Sequence, residues 1–135
     1  MNVIIDFYPK IEVHQQALQL CARIRNELSL GMPINLIASQ FQNFYTNKLE
    51  ALFEYEEKHI FTKFDTWDAL SQEILSDQIN ISFLIMQERY SLELVEKILY
   101  LLESHVYFKE RVFVPQVAHS IFKDDYTNYS LRMTS

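Results

Sequence analysis

Five polar side chains interrupt the apolar stripes of segments that have the pattern of amphipathic helices. Imidazole and carboxylate groups are common transition-metal ligands, whereas a lysine in the same place needs an anion beside it. Buried polar groups cost several kcal/mol unless they find partners. Helices packed side by side would bring the five residues to one level, where they could satisfy each other or hold an ion. They are His14, Glu56, Gln78, His105 and Lys109.

A repeated stretch indicates which ligands have changed. The strings KLEALFEYEEKHIFTKF (48–64) and LLESHVYFKERVFVPQV (101–117) align at an offset of 53 positions. At this offset Leu52 corresponds to His105, and Glu56 corresponds to Lys109. A His-x-x-x-Glu pair places two ligands on one helix face, one turn apart, as two-metal helical bundles require. Each copy of the repeat therefore keeps a different half of such a pair.

The hydrophobic pattern predicts that the chain is almost entirely helical. A single Gly and three Pro in 135 residues leave few places where a helix must stop. We expect an all-α protein, an up-down-up-down antiparallel four-helix bundle over residues 1–118, followed by a C-terminal tail over residues 119–135. The four predicted helical segments cover about residues 10–28, 34–62, 65–89 and 91–115.

Local signals predict where these helices begin and which side chains face the core. Asp65 and Ser91 are candidate N-caps for the third and fourth segments. Gly31 and the proline that follows shortly after it predict the end of the first segment. Steps of three and four residues place Arg25 in the inward series of the first segment and Val112 in that of the fourth.

Composition limits the classes of partner. A net charge of −6 argues against a nucleic-acid partner, because neutralising phosphates requires clustered Lys and Arg. No signal-peptide pattern and no apolar run of the roughly 20 residues that a membrane span needs is visible, so we expect a cytoplasmic protein with no membrane partner. The lone Cys21 cannot form an internal disulfide, and its place in an apolar stripe favours a buried, inert thiol.

Three short strings resemble a known family. HQQALQLCARIRNELSLGMPINLIASQF (14–41) is similar to the first helix and loop of a cytoplasmic bacterial branch of the hemerythrin-like, or HHE cation-binding, domains, where an HHHALLLCWKIR-type string precedes a glycine. EYEEKHIF (54–61) and SHVYFKERVFVP (104–115) resemble the HFEEEEKYLFP and HIRFEERVLFP strings of that branch. The resemblance covers about residues 10–118. It implies a four-helix bundle that holds a carboxylate-bridged di-iron centre.

The resemblance also implies where the metal ligands would lie, and three of the family's six ligand positions hold other residues in this chain. The resemblance places a histidine ligand at His14, a second at His105 and one bridging glutamate at Glu56. The other three ligand positions hold Leu52, Gln78 and Lys109. Leucine and lysine cannot bind a metal in this role, and glutamine is at best a weak oxygen donor. The resemblance therefore implies a degenerate metal site.

Two classes of function follow from this ligand set. We expect a metal-free domain without a cofactor, because the ammonium group of Lys109 repels a divalent cation and would pair with Glu56. Such a domain would be a non-catalytic sensory or interaction module, not an enzyme, acting through a protein partner or as a homodimer. The alternative is a protein that senses or stores iron, oxygen or redox species. It would hold one iron or zinc ion on His14, Glu56 and His105, and Lys109 would have to swing away.

Overall fold

Helices account for nearly all of the described chain. A computed structural model describes residues 11–60 and 69–115, and no strand occurs among them. We label the four helices in chain order. They are α1 (Glu12–Ser29), α2 (34–60), α3 (Ala69–Ile85) and α4 (Leu92–Phe108), the last of which continues into a π-helical turn (Lys109–Phe113). The prediction of an all-helical protein with four helices is confirmed, whereas the up-down order stays a prediction.

Helix α2 is not uniform along its length. Its α-helical stretches, Ile34–Phe44 and Glu50–Tyr55, are each followed by a π-helical turn, Tyr45–Leu49 and Glu56–Ile60. A π-helical turn closes its hydrogen bonds one residue later than an α-helix does, so it shifts which side chains face the core. This shift matters for the site, because one of the turns begins at Glu56.

The turn between α1 and α2 follows from its single glycine. Gly31 has φ of 80°, a left-handed conformation that side chains with a Cβ rarely adopt. The amide of Gly31 donates to the carbonyl of Leu28 at 3.1 Å, and the amide of Met32 donates to that of Glu27 at 3.0 Å. These two bonds form a Schellman motif, which satisfies the last carbonyls of α1. Helix α2 then begins directly after Pro33.

Helix α4 has the start that the sequence predicts. The hydroxyl oxygen of Ser91 accepts a hydrogen bond from the amide of Leu94 at 3.1 Å, as an N-cap side chain does. Helix α3 ends at Ile85, four residues before the predicted end. The predicted cap Asp65, the predicted end of the second segment at residue 62, and the tail at residues 119–135 lie outside the described residues.

The core lies between the four helices. Helix α4 contacts both α1 and α3, and the first stretch of α2 contacts α3 and α4. Large side chains with little or no exposure fill the space between them. Among these are Ile24, Phe41, Leu49, Leu52, Ile74, Ile81, Leu102 and Phe113. No helix within the described ranges is long and apolar enough to cross a membrane.

Two residues of the predicted inward series face outward instead. Arg25 is exposed and forms an ion pair with Glu103, while its neighbour Ile24 is fully buried. Val112 is 37% exposed, and Phe113 is buried in its place. Phe113 follows the buried Lys109 by four residues, and the π-helical turn Lys109–Phe113 favours this step over the step of three that leads to Val112.

Candidate functional site

A buried ion pair joins the second and fourth helices. The ammonium nitrogen of Lys109 donates a hydrogen bond to Oε1 of Glu56 at 2.8 Å and lies 2.7 Å from Oε2. Neither side chain has any exposed surface. The amide nitrogen of Gln78, on α3, donates to the same Oε1 at 2.9 Å. The carboxylate is therefore held by groups from two other helices.

Both partners of the ion pair stand at the start of a π-helical turn. Glu56 begins the turn Glu56–Ile60, and Lys109 begins the turn Lys109–Phe113. The two turns occupy equivalent positions in the two copies of the repeat, and the ion pair spans the repeat offset of 53 residues. The copies therefore share a local backbone conformation and contact each other through equivalent residues. Turns of this kind often occur at functional sites.

His105 lies beside the ion pair and is oriented by a carboxylate. It is 2% exposed, and its Nδ1 is 3.2 Å from Oδ2 of Asp77. Its Nε2 has no hydrogen-bond partner within the described part of the chain. The ring of Phe53 meets the His105 ring edge-on, with centroids 5.9 Å apart. The Lys109 ammonium is 5.8 Å from the centre of the same Phe53 ring, close enough for a cation–π contact.

His14 completes the cluster from helix α1 and is 1% exposed. Burial lowers the pKa of His14 to about 2, and repulsion from Lys109 and then His105 adds to this shift. The ring is therefore neutral at pH 7. Burial also lowers the pKa of His105, an effect that its hydrogen bond to the Asp77 carboxylate opposes. Burial likewise lowers the pKa of Lys109, and the negative charge of Glu56 opposes this shift. Positive charge in this cluster thus depends on Glu56.

The sequence predicted most of this arrangement. All five interrupting residues are buried, as predicted, and the predicted contact between Glu56 and Lys109 is confirmed. Direct hydrogen bonds join Glu56, Gln78 and Lys109. The two histidines belong to the same cluster, because the charge of Lys109 acts on both rings and His105 acts on His14.

Two residues of the site were missed. Asp77 precedes Gln78 in the chain, and Phe53 follows Leu52, so each lies next to a position that the sequence singled out. The one signal for Asp77 was chemical, because a buried imidazole needs a partner for its N–H group. No comparable signal pointed to Phe53, whose place between Lys109 and His105 depends on how the helices pack.

The geometry does not fit a di-iron centre. A bridging carboxylate must offer both oxygens to metals, but Lys109 lies within hydrogen-bonding distance of both oxygens of Glu56. Within residues 11–60 and 69–115, no three His, Cys, Asp or Glu side chains are grouped so that they could hold a metal ion. The arrangement that is present instead balances charge with protein atoms, a carboxylate against an ammonium group.

Comparison of the chain with protein-family models, with curated proteins and with solved structures gives no match. The resemblance to hemerythrin-like domains therefore depends on the short sequence strings alone.

Proposed function

We propose that this chain is a metal-free relative of the hemerythrin-like domains, an up-down-up-down bundle that serves as a non-catalytic sensory or interaction module. The observation that carries the proposal is the position of the Lys109 ammonium, which lies 2.8 Å and 2.7 Å from the two oxygens of Glu56. A metal-binding ancestor would have needed a cation at this place to balance its bridging carboxylates. In this chain the cation is a side chain.

The chemistry of the ion pair supports a structural role. Two charges without exposed surface are tolerated only when each has a close, well-oriented partner, and removing one leaves the other uncompensated. Gln78 adds a further donor to the carboxylate. Because Lys109 and Gln78 both engage the Glu56 carboxylate, that carboxylate is held within the bundle and is not open to a metal or a substrate. The bundle then acts through its surface, and the former metal site contributes to holding the helices together.

The alternative, a single iron or zinc ion on His14, Glu56 and His105, has less support. It requires Lys109 to leave a carboxylate that it contacts through both oxygens, and to find another partner for its charge. Two features of His105 favour it. Metal-binding histidines often donate their second N–H to a carboxylate, as His105 can to Asp77, and the buried Nε2 of His105 has no hydrogen-bond partner within the described residues.

Restoring the missing ligands tests the proposed ancestry. The variant that combines Leu52→His, Gln78→His and Lys109→Glu should bind more iron than the original chain and should show the absorption bands of an oxo-bridged iron pair. The matched control keeps Lys109 and carries only Leu52→His and Gln78→His, and it should bind less iron than the triple variant. A triple variant that folds, as judged by its helical circular dichroism, but gains no iron would contradict the assignment of these positions.

A further inference from the structure

A groove of about 380 Å³ lies between helices α1 and α2, and no residue of the buried ion pair lines it. Its size is at the lower end of the range of small-molecule sites, which in helical bundles commonly lie between helices. We call it the α1–α2 groove. Most of its polar side chains are carboxamides, and they are Gln16, Gln19, Gln40, Asn43 and Asn47.

The charged groups of the α1–α2 groove are both cations. Arg23 lies on α1 and Lys48 on α2, and no carboxylate among the described residues lines the groove. The chain as a whole carries a net charge of −6, and a groove between α2 and α3 is lined instead by three glutamates, Glu50, Glu54 and Glu57. The local charges therefore favour an anion in the α1–α2 groove and disfavour one in the other groove.

The first π-helical turn of α2 borders the α1–α2 groove. The turn Tyr45–Leu49 contains Asn47 and Lys48, both of which line the groove. Turns of this kind often occur at functional sites. The turn therefore positions one carboxamide and one cation of the groove.

A chain of hydrogen bonds across the two helices orients Arg23. Its Nε donates to the amide oxygen of Gln40 at 3.1 Å, and the amide nitrogen of Gln40 donates to Glu27 at 2.6 Å. Glu27 also lies 3.9 Å from Nε, so it offsets part of the Arg23 charge. The two terminal nitrogens of the guanidinium make no hydrogen bond within the described residues. Such a fork can bind two oxygens of one phosphate or carboxylate group at once.

Gln16 brings an unpaired hydrogen-bonding group to the α1–α2 groove. Its amide oxygen is buried and has no hydrogen-bond partner within the described part of the chain. An unpaired buried acceptor is costly, and rotation of the amide about its last side-chain bond would offer the oxygen to a donor in the groove. A carboxamide both donates and accepts hydrogen bonds, as a hydroxyl group does. The polar lining therefore suits a ligand that carries several hydroxyl groups.

We propose that the α1–α2 groove binds a small phosphorylated sugar. The Arg23 fork binds the phosphate group, and Lys48 adds attraction from the other helix. The carboxamides pair with the sugar hydroxyls, and the C–H groups of the sugar lie against Leu20 and Phe44, the apolar part of the lining. This inference deepens the proposed sensory role and rests on it, since the module would then respond to a phosphorylated metabolite.

An NMR titration of the full chain tests the ligand class. The probes are glucose 6-phosphate, fructose 6-phosphate and ribose 5-phosphate, and the comparison compounds are glucose and inorganic phosphate. At least one probe should bind with a dissociation constant of about 1 mM or lower and should shift the side-chain amide signals of Asn43 and Asn47. Glucose lacks the charge and inorganic phosphate lacks the hydroxyl groups, so each should bind roughly tenfold more weakly or less. If no probe binds, or if inorganic phosphate binds as tightly as the probes, the proposal is overturned.

Substitutions of exposed residues test the location of the site. Arg23→Gln should raise the dissociation constant of the bound probe roughly tenfold, because the charge-assisted hydrogen bonds to the phosphate are lost. Arg89→Gln is the matched control, since it makes the same change at an exposed arginine outside the groove, and it should leave binding unchanged. Equal effects of the two substitutions would mean that the probe responds to overall charge, which would overturn the proposal. None of these readouts involves metal, so failed ligand binding and a failed metal-free assignment can be told apart.

Discussion

The ammonium group of Lys109 has no exposed surface, so its stability in the fold depends on one carboxylate. Glu56 supplies that carboxylate, and Gln78 donates a further hydrogen bond to it. The Lys109 ammonium can balance the charge of Glu56 as a metal ion would. A metal ion could bind ligands from several helices at once, whereas Lys109 links its own helix to that of Glu56. The effect of removing it should therefore appear as a loss of stability.

A double-mutant cycle on the ion pair measures this dependence. Lys109→Met should cost on the order of 3 kcal/mol of unfolding free energy, because it leaves Glu56 buried without its cation. Adding Glu56→Leu should recover much of that loss, since no uncompensated charge remains. The exposed pair of Arg25 and Glu103 is the matched control, and its coupling should be about 1 kcal/mol or less. Additive losses at Glu56 and Lys109 in urea denaturation would mean that the two residues do not interact.

The histidine on α1 gives the fold a dependence on pH. Burial holds the pKa of His14 at about 2, below its ordinary value of 6.5, so the unfolded chain takes up a proton first as the pH falls. His14 therefore destabilises the fold progressively below about pH 6.5, by about 2 kcal/mol between pH 7 and pH 5. His14→Gln should remove this part of the pH dependence. His59→Gln alters an exposed histidine and should leave it intact.

Comparing the unfolding free energies of these two variants at both pH values checks the prediction. If the His14→Gln variant loses as much stability on acidification as the wild-type chain does, the ring is not held neutral by its surroundings.

Among the elements, the π-helical turns decide which side chains reach the core. A series that continues with a step of three from Lys109 predicts that Val112 lies in the core. The π-helical turn brings Phe113 inward instead, four residues after Lys109. Helix periodicity alone could not predict this, because the pattern of apolar residues fits either register when Val112 and Phe113 are adjacent and both apolar.

Alanine substitutions at these two neighbours test the register. Phe113→Ala should cost about 3–5 kcal/mol, because it leaves a cavity in the core. Val112→Ala should change stability by about 0.5 kcal/mol, as is usual for partly exposed positions. The measurement is the unfolding free energy of each variant in urea. Equal losses, or a larger loss at Val112, would contradict the burial of Phe113 in place of Val112.

Other element boundaries were set by signals that the sequence does contain. Ser91 caps α4 and Gly31 follows the end of α1, both as predicted. These two signals are readable in the sequence because they depend on local hydrogen bonds and backbone angles. The prediction that Arg25 faces the core is wrong for a different reason. Its alignment with the apolar steps of α1 was as good as that of Ile24, and only the packing of α1 against α4 brings Arg25 to Glu103.

For the whole molecule, a helical fold followed from composition and pattern, since a chain with one glycine and long amphipathic segments has few other options. The buried ion pair was predictable because the repeat places Glu56 and Lys109 at equivalent positions in two helices. The roles of Asp77 and Phe53 were not, because neither interrupts an apolar stripe and both depend on the neighbouring helix.

The metal content of the wild-type chain decides whether the domain is metal-free. Protein produced in medium supplied with iron and zinc, and purified without chelators, should contain far less than one metal ion per chain. The physical reason is that Lys109 occupies the carboxylate on which any metal here would depend. Elemental analysis that finds one iron or zinc ion per chain would contradict this account and would favour a mononuclear site on His14, Glu56 and His105. Two iron ions per chain, with the absorption of an oxo bridge, would contradict both.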